Sequence, residues 1–420
     1  YMPSSKDYME MDDKYCAHNY HPIPVVISKA EGVWVYDPEG NKYIDCLSAY
    51  SSQNTGHCHP EIVKALKEQA DKVTLTSRAF YNDMMGPFLK KLCEVVGPHI
   101  NDPNNSGIMA LPMNTGTEAV SSGLKVARAW GYIKKKIPKN EAKIIVCRDN
   151  FHGRSITIAG FSTDIEAVRY YGNFGPYTPG FIVIPYGDAE ELENTIIEIG
   201  PEIVAAFLVE PIQGEAGVKV PPEGYIKKAR EVCTKYNVLM IADEIQTGLG
   251  RTGELFGCDH ENVKPDTMLL GKALGGGVYP VSAVVTTKDI IGPDVIKPGT
   301  HGSTFGGNPL ASAVAMKSLD VHIDDHLAQR AKELGGYFLE GLKNIAKKKT
   351  IVPIKEVRGK GLLIAIEFES DARHLVEMLK NKGVLAKNTH STIIRFAPPL
   401  IITKDQIDWA LKIIEDVLVA

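Results

Sequence analysis

Five short apolar runs, each the length of a strand and separated by helix-length segments, constrain this chain more than any other feature. They are Ile144–Cys147, Phe181–Pro185, Val204–Val209, Val238–Ala242 and Thr267–Leu270. Each is rich in Val, Ile or Leu and lacks the polar alternation of a half-exposed strand, which is how strands covered on both faces read. Helical patterns such as Glu118–Lys135 and Pro222–Tyr236 lie between them. The rhythm is β-α-β, so the fold class is α/β, with a mostly parallel central sheet flanked by helices. Beyond about residue 328 the order becomes helix, strand pair, helix, strand and a final helix, Thr403–Leu418, the pattern of a smaller α+β domain. The expected division is an N-terminal segment 1–50, a large domain 51–328 and a small C-terminal domain 329–420. No internal repeat, low-complexity stretch or long linker interrupts it.

Composition excludes several classes of function. A chain of 420 residues, 44% of them hydrophobic, can bury a large core. A net charge of -4 is too balanced to favour nucleic acid or an anionic membrane as the main partner. No apolar run approaches the ~20 residues that span a bilayer. Tyr1 to Asp13 carries acids and no apolar core, unlike a signal or transit peptide. The 7 cysteines are scattered and form no CxxC pair, which argues for a reducing compartment, mitochondrial matrix or cytoplasm, and against a disulfide framework. Cys58 between His57 and His59, with Cys16 and His18 upstream, raises a metal site. Adjacent ligands lack the usual spacing and no second cluster completes them, so no metal is expected.

Three segments carry chemistry. In Asn114-Thr115-Gly116-Thr117-Glu118, Thr115 and Glu118 form a capping box that opens a helix directly after the apolar run Ile108–Met113. A strand, a glycine turn and a helix N-terminus present free N–H groups and a positive dipole end, a phosphate site in outline. Alone, it reads more readily as an ordinary capped helix. The run Val238–Ala242 is followed at once by Asp243-Glu244, and acids at the carboxyl end of a buried strand sit where open α/β sheets bind ligands. Alone, these are also a helix cap or a solvated strand end. Leu269-Leu270-Gly271-Lys272 puts a lysine after another buried strand, beside the turn Gly275-Gly276-Gly277. A lysine there commonly snorkels to the surface.

The combination is more specific than its parts. A phosphate cradle, an aspartate and a lysine at strand ends of one sheet are what pyridoxal phosphate needs: N–H groups for its phosphate, an acid for its ring nitrogen and a lysine for its aldehyde. A desolvated lysine can be neutral and move a proton. Gly248-Leu249-Gly250-Arg251-Thr252-Gly253 matches the dinucleotide fingerprint, but Asp243 to Thr247 intervene where the fingerprint should open a helix directly. A nicotinamide dehydrogenase is therefore a remote alternative.

These residues are familiar. The chain resembles the class III, fold-type I aminotransferases from about Tyr15 to the last helix. The likeness lies in Ala17-His18-Asn19-Tyr20-His21-Pro22, Ser48-Ala49-Tyr50-Ser51, Gly56-His57-Cys58-His59-Pro60 and Leu75-Thr76-Ser77-Arg78-Ala79-Phe80-Tyr81. It continues in Val209-Glu210-Pro211-Ile212-Gln213-Gly214-Glu215, Asp243-Glu244-Ile245-Gln246-Thr247-Gly248, His301-Gly302-Ser303-Thr304 and Ile394-Arg395-Phe396-Ala397-Pro398-Pro399. Within the class, the Tyr20 segment, Tyr50 and the Glu215 with Arg395 pair point to members that pass the δ-amino group of ornithine to 2-oxoglutarate.

The resemblance implies a set of roles. Lys272 would hold the cofactor covalently and move the proton, and Asp243 would pair with the ring nitrogen. Phe151 would stack on the ring and Gln246 would contact its hydroxyl, with His152 and Ile245 in the same cofactor site. Gly116 and Thr117 would hold the phosphate, joined by Ser303 and by Thr304 reaching across from a second subunit of a homodimer. Tyr20 and Arg154 would bind the α-carboxylate of ornithine. Arg395 would bind that of 2-oxoglutarate and be masked by Glu215 while ornithine is present, with Tyr50 and Glu210 lining the pocket. Without the family, Arg395 still stands out, because Ile393, Ile394, Phe396 and Ala397 make its surroundings apolar and a buried arginine needs a carboxylate partner. Gly275 and Phe305 depart from the common Ser and Tyr of the class at positions without a role above. Other ω-amine substrates of this class, N-acetylornithine and 4-aminobutyrate, remain the nearest alternatives, and a pyridoxal-phosphate aminomutase a more distant one.

Overall fold

The computed structural model describes residues 3–163 and 172–420. Among the described residues fifteen strands form three sheets. In chain order they are β1 (Lys29–Glu31), β2 (Trp34–Tyr36), β3 (Lys42–Asp45), β4 (Ile108–Met113), β5 (Lys143–Cys147), β6 (Phe181–Ile184), β7 (Val204–Val209) and β8 (Leu239–Asp243). After these come β9 (Thr267–Leu270), β10 (Ser282–Thr287), β11 (Ile354–Lys360), β12 (Leu363–Phe368), β13 (Val384–Leu385), β14 (Lys387–Thr389) and β15 (Ile393–Phe396).

The apolar runs become the central sheet, ordered β4-β10-β9-β8-β7-β5-β6. The neighbours from β6 to β9 pair in parallel. Only β10 opposes its neighbours, pairing antiparallel with both β4 and β9. Every residue of β7, β8, β9 and β10 is buried. On one face the helices Ala189–Ile199 and Tyr225–Lys235 pack through Leu192, Ile196, Ile226 and Ala229 against Ile145, Phe207 and Met240. The helix Gly116–Ile133 covers the other face with Val120, Leu124 and Ala127 against Val146, Leu208 and Leu269. Hydrophobic burial on both faces is what fixes a parallel sheet in the interior.

The C-terminal part carries the sheet β11-β12-β15-β14, backed by the helices Leu327–Ala346, Arg373–Lys382 and Lys404–Leu418. The N-terminal strands join it: β3 pairs in parallel with β13, completing the sheet β1-β2-β3-β13. Val33, Ile44 and Cys46 share one core with Phe338, Leu379 and Ile414. The N-terminal stretch thus packs as part of the C-terminal lobe, with a core distinct from that of the central sheet. No helix among the described residues is long and apolar enough to cross a membrane.

The glycine-rich segment resembling a dinucleotide fingerprint sits where the two lobes meet. Gly250 has φ +93, and a Cβ there would lie 2.9 Å from the backbone of Ala328. Arg251, fully buried, donates from Nη1 to the carbonyls of Leu362 (2.9 Å) and Pro398 (2.5 Å) and from Nη2 to Asn54 Oδ1 (2.8 Å). Its glycines allow close packing of backbone on backbone rather than on a pyrophosphate.

Candidate active site at the strand ends of the central sheet

Several sequence-distant segments converge at the carboxyl ends of β4, β8 and β9. The helix Gly116–Ile133 opens on the capping box read in the sequence: Glu118 N donates to Thr115 Oγ1 (3.3 Å) and Thr115 N to Glu118 Oε2 (2.7 Å). The first-turn N–H groups of Gly116 and Thr117 remain without helical acceptors, as at any helix start. A Cβ on Gly116 would lie 3.2 Å from the Ile245 side chain, and one on Gly271 would lie 3.5 Å from Gly116 Cα. The helix terminus, Ile245 and the residue preceding Lys272 are therefore in contact.

Lys272 follows β9 with φ +44, and its Nζ donates to the Tyr50 carbonyl at 2.9 Å. Burial, chiefly, pushes its pKa below the ordinary lysine value; Glu215 opposes this and Arg395 adds to it. Tyr50 lies in an unusual turn. Ser48, Ala49, Tyr50 and Ser51 have φ of 55, 50, 57 and 69, a left-handed run without a single glycine. Such residues cost roughly 1–2 kcal/mol each and persist only when held from outside. Asp45 does the holding: Oδ1 accepts from the N–H groups of Leu47 (2.9 Å) and Ser48 (2.8 Å), and Oδ2 bonds His57 Nε2 at 2.7 Å.

Asp243 ends β8 with 5% of its surface exposed, bonded through Oδ2 to His152 Nδ1 (2.6 Å) and through Oδ1 to the N–H of Ile245 (3.1 Å). Phe151 N donates to Glu210 Oε2 at 3.1 Å, and the Arg154 guanidinium stands 5.0 Å from the centre of the Phe151 ring. Burial, followed by the charge of Asp243, drives the Glu210 carboxyl well above the usual carboxylate range. On the far side Arg395, 3% exposed, donates from Nη1 to Glu215 Oε1 at 3.1 Å. Burial works to raise the Glu215 pKa, but Arg395, then Lys272, prevail and hold it below the ordinary value. Lys272 Nζ and Arg395 Cζ each lie 5.6 Å from the centre of the Tyr50 ring. Burial, then Glu215, raises the Tyr50 pKa, with Tyr20 and Arg154 near enough to act on it.

The site matches a bound group rather than a closed core. Gln246 Nε2 and Arg395 Nε are buried without a hydrogen-bond partner among the described residues, and such orphans need explanation. The oxygen of Gln246 packs against Gly214, leaving no room for a Cβ there. Cationic Arg395, an amine of lowered pKa, an oriented carboxylate and a helix N-terminus suit a phosphorylated pyridine aldehyde and a carboxylate-bearing substrate.

The sequence-derived residues group as follows. Gly116, Thr117, Phe151, His152, Asp243, Ile245, Gln246 and Lys272 meet at the strand ends, with Tyr50, Glu210, Glu215 and Arg395 around them. Tyr20 is 69% exposed at the edge. Ser303 accepts from Asn114 Nδ2 at 2.9 Å, beside the helix terminus, whereas the neighbouring Thr304 is exposed. Sequence reasoning missed the Asp45–His57 support; the only signal was Asp45 three residues ahead of Ser48, an Asx-type spacing.

A family model for aminotransferase class-III matches residues 15–418. The chain belongs to the class-III aminotransferases. Members of this class use pyridoxal 5'-phosphate, so the chain is a pyridoxal-phosphate-dependent aminotransferase. It is 56% identical over 410 residues to an ornithine aminotransferase of Brevibacillus brevis, covering 98% of this chain and 97% of the relative. The ornithine aminotransferase of Bacillus subtilis is 52% identical over 417 residues, 99% and 98% of the two chains. Among solved structures, an ornithine aminotransferase from Toxoplasma gondii superposes with a TM-score of 0.92 at 47% identity, over 99% of this chain and 95% of that one. An acetylornithine aminotransferase from Elizabethkingia anophelis has a TM-score of 0.87 at 49% identity, over 99% of each. The class-III fold expected from the sequence, a large mostly parallel sheet with a smaller sheet domain, is the one observed.

Proposed function

We propose that this chain transfers the δ-amino group of L-ornithine to 2-oxoglutarate, giving glutamate 5-semialdehyde and glutamate in two half-reactions. The observation that carries this reading is the Glu215–Arg395 pair at 3.1 Å beside Lys272, a cation that a neighbouring carboxylate can cover or release. The relatives named above support the substrate. The acetylornithine aminotransferase at 49% identity favours N-acetylornithine as the second reading.

In this reading the N–H groups of Gly116 and Thr117 would hold the cofactor phosphate, and Asp243, bonded to His152, would pair with the ring nitrogen. Phe151, Ile245 and Gln246 would complete the surroundings of the ring. When bound, the cofactor draws electrons from the substrate carbon whose amino group is leaving. Lys272, its pKa lowered chiefly by burial, is placed to take the proton from that carbon at Nζ and return it, as a general base does. The Tyr50 carbonyl gives the amine a fixed acceptor. Tyr20 and Arg154 hold the α-carboxylate of ornithine away from Lys272, which leaves the δ-amine at the reacting end. Glu215 meanwhile neutralises Arg395. When a dicarboxylate enters, its α-carboxylate competes for Arg395, and a bidentate arginine contact is strong enough to win. Glu210, its carboxyl pushed up chiefly by burial, lines the pocket.

A homodimer completes the site, with the partner's Thr304 at the phosphate and Ser303 anchoring that loop on Asn114. Exposed Phe80 (73%), Tyr81 (99%) and Phe305 (48%) support such an interface. The unit divides into a large cofactor domain, 51–328, and a small domain, 329–420, with 1–50 as an N-terminal segment packed on the latter. The bacterial sources of the sequence relatives support the cytoplasm as its compartment. Assay of L-ornithine, N-acetyl-L-ornithine and 4-aminobutyrate with 2-oxoglutarate tests the substrate: ornithine gives the highest kcat/KM with pyrroline-5-carboxylate as the cyclised product. A higher value for N-acetylornithine overturns it.

A further inference from the structure

Glu215 sits at the tip of a hairpin that leaves the large lobe but is gripped by the small one. Gln213 and Lys219 bridge antiparallel, Gln213 N to Lys219 O at 3.1 Å and Lys219 N to Gln213 O at 2.9 Å. The tip folds tightly, with Gly217 at φ +107 and Val218 at φ +54. A Cβ on Gly217 would lie 2.5 Å from Ile393 Cδ1, so the tip is pressed onto β15. Ile212 and Val218 pack in one apolar cluster with Leu363, Ala365, Ile393 and Ala397 of the small lobe.

The polar contacts run the same way. Arg358 on β11 donates from Nη2 to Gly217 O (2.7 Å) and from Nε to Gly217 O (3.1 Å) and Val218 O (3.0 Å). Its charge is balanced by Glu356 (2.8 Å) and Glu367 (2.5 Å) through Nη1. Thr389 Oγ1 donates to Glu215 O at 2.6 Å. Arg358 faces Ala365 on β12, and Ala365 faces Arg395 on β15. Residues opposite one another project to the same face of a sheet, two strand spacings apart, about 10 Å. One row of one sheet thus holds the hairpin twice: Arg358 by its backbone, Arg395 by the Glu215 carboxylate.

We propose that Arg358 is a specificity-determining positioning residue, which fixes the Gln213–Lys219 backbone relative to Arg395 and so confines opening of the gate to rotation of the Glu215 side chain. This rests on the reading of Glu215 and Arg395 as a gate. Three hydrogen bonds on two carbonyls leave the tip no freedom to lift away, and Thr389 removes what remains. A gate of this kind closes again to the same distance after each dicarboxylate leaves. An ordinary lobe contact would stabilise the protein without affecting which amine of ornithine reacts.

Ornithine turned over by the holoenzyme yields pyrroline-5-carboxylate from the δ-amine and the isomeric 2-carboxylate from the α-amine, and their ratio is the readout. Glu215→Ala shifts it toward the α-product. Arg358→Met and Thr389→Val, each with normal cofactor absorbance, shift it the same way, Arg358→Met by roughly tenfold, the order expected for losing charge-assisted bonds. In the double variant Glu215→Ala/Arg358→Met the ratio stays at that of Glu215→Ala. Should Arg358→Met not fold, Thr389→Val, which removes one hydroxyl, is judged by the same criterion. Wild-type ratios in Glu215→Ala sink the gate itself. A shift in Glu215→Ala with none in Arg358→Met or Thr389→Val overturns the positioning role alone, as does an equal Arg358→Met shift in the Glu215→Ala background.

Discussion

Asp243 and Glu244 are adjacent acids with opposite fates, and the difference is one of partners. Asp243 faces the site with His152 at 2.6 Å. Glu244 turns the other way, 1% exposed, accepting at Oε1 from Thr247 Oγ1 (2.6 Å) and Gly257 N (2.8 Å) while Oε2 has no partner among the described residues. Burial, chiefly, pushes its pKa up to about 8. A carboxyl raised in the folded state keeps its proton there while the unfolded chain has lost it, so its contribution to stability is full below the unfolded value and declines as pH rises toward 8. Glu244→Gln keeps the Oε1 acceptor and cannot ionise. Wild type should therefore lose about 1–3 kcal/mol relative to Glu244→Gln between pH 5.5 and 8. Denaturant titrations of both at the two pH values check this, and a constant difference contradicts it. At this scale the sequence offered Lys272 and Asp243 directly, because each ends a buried strand. Strand pattern alone did not separate Asp243 from Glu244, which the resemblance did, since the choice depends on His152 arriving from another segment.

Elements were legible where burial dictates pattern. The limits of β4, β7 and β9 coincide with their apolar runs, and Asp243 proved to be the last residue of β8 rather than the first after it. Strand β10 was not legible: Ser282, Thr286 and Thr287 give it polar ends yet are buried, Thr286 with its hydroxyl bonded to Thr267 Oγ1 (3.0 Å) and the Asp266 carbonyl (2.7 Å). Nor was the left-handed turn at Tyr50, because no propensity favours four such residues without glycine and only Asp45 and the surrounding lobe hold them there. The Gly248–Gly253 segment matched a motif by spacing while its physical cause lay across the lobe junction. Gly361 on the other side has φ +58, and a Cβ there would strike the backbone of Thr252. Gly361→Ala should cost about 2–4 kcal/mol, combining left-handed strain with a backbone clash. Its denaturation midpoint measures this, and a loss under ~0.5 kcal/mol would show the junction to be softer than described.

At the scale of the whole molecule, strands far apart in the chain come together. The pairing of β3 with β13 ties the N-terminal strands to the lobe that carries Arg395, so Tyr50 and Arg395 are positioned by one body and Lys272 and Asp243 by the other. Linear order hides this, because two residues of β13 are too few to announce a parallel partner far upstream. The proposed dimer is tested at this scale too. Lys272→Ala and Thr304→Trp subunits should each be inactive alone, and mixing them should return about a quarter of wild-type activity, since half the dimers are hybrids with one intact site. No recovery after demonstrated subunit exchange would remove Thr304 from the shared site. In the proposed mechanism these two bodies converge on Lys272 as the residue that holds the cofactor. Borohydride reduction of the yellow holoenzyme, followed by digestion and mass spectrometry, is the decisive test. The reduced cofactor should appear on the peptide carrying Lys272 and on no other lysine; a label elsewhere, or a colourless protein that takes none, would overturn the assignment.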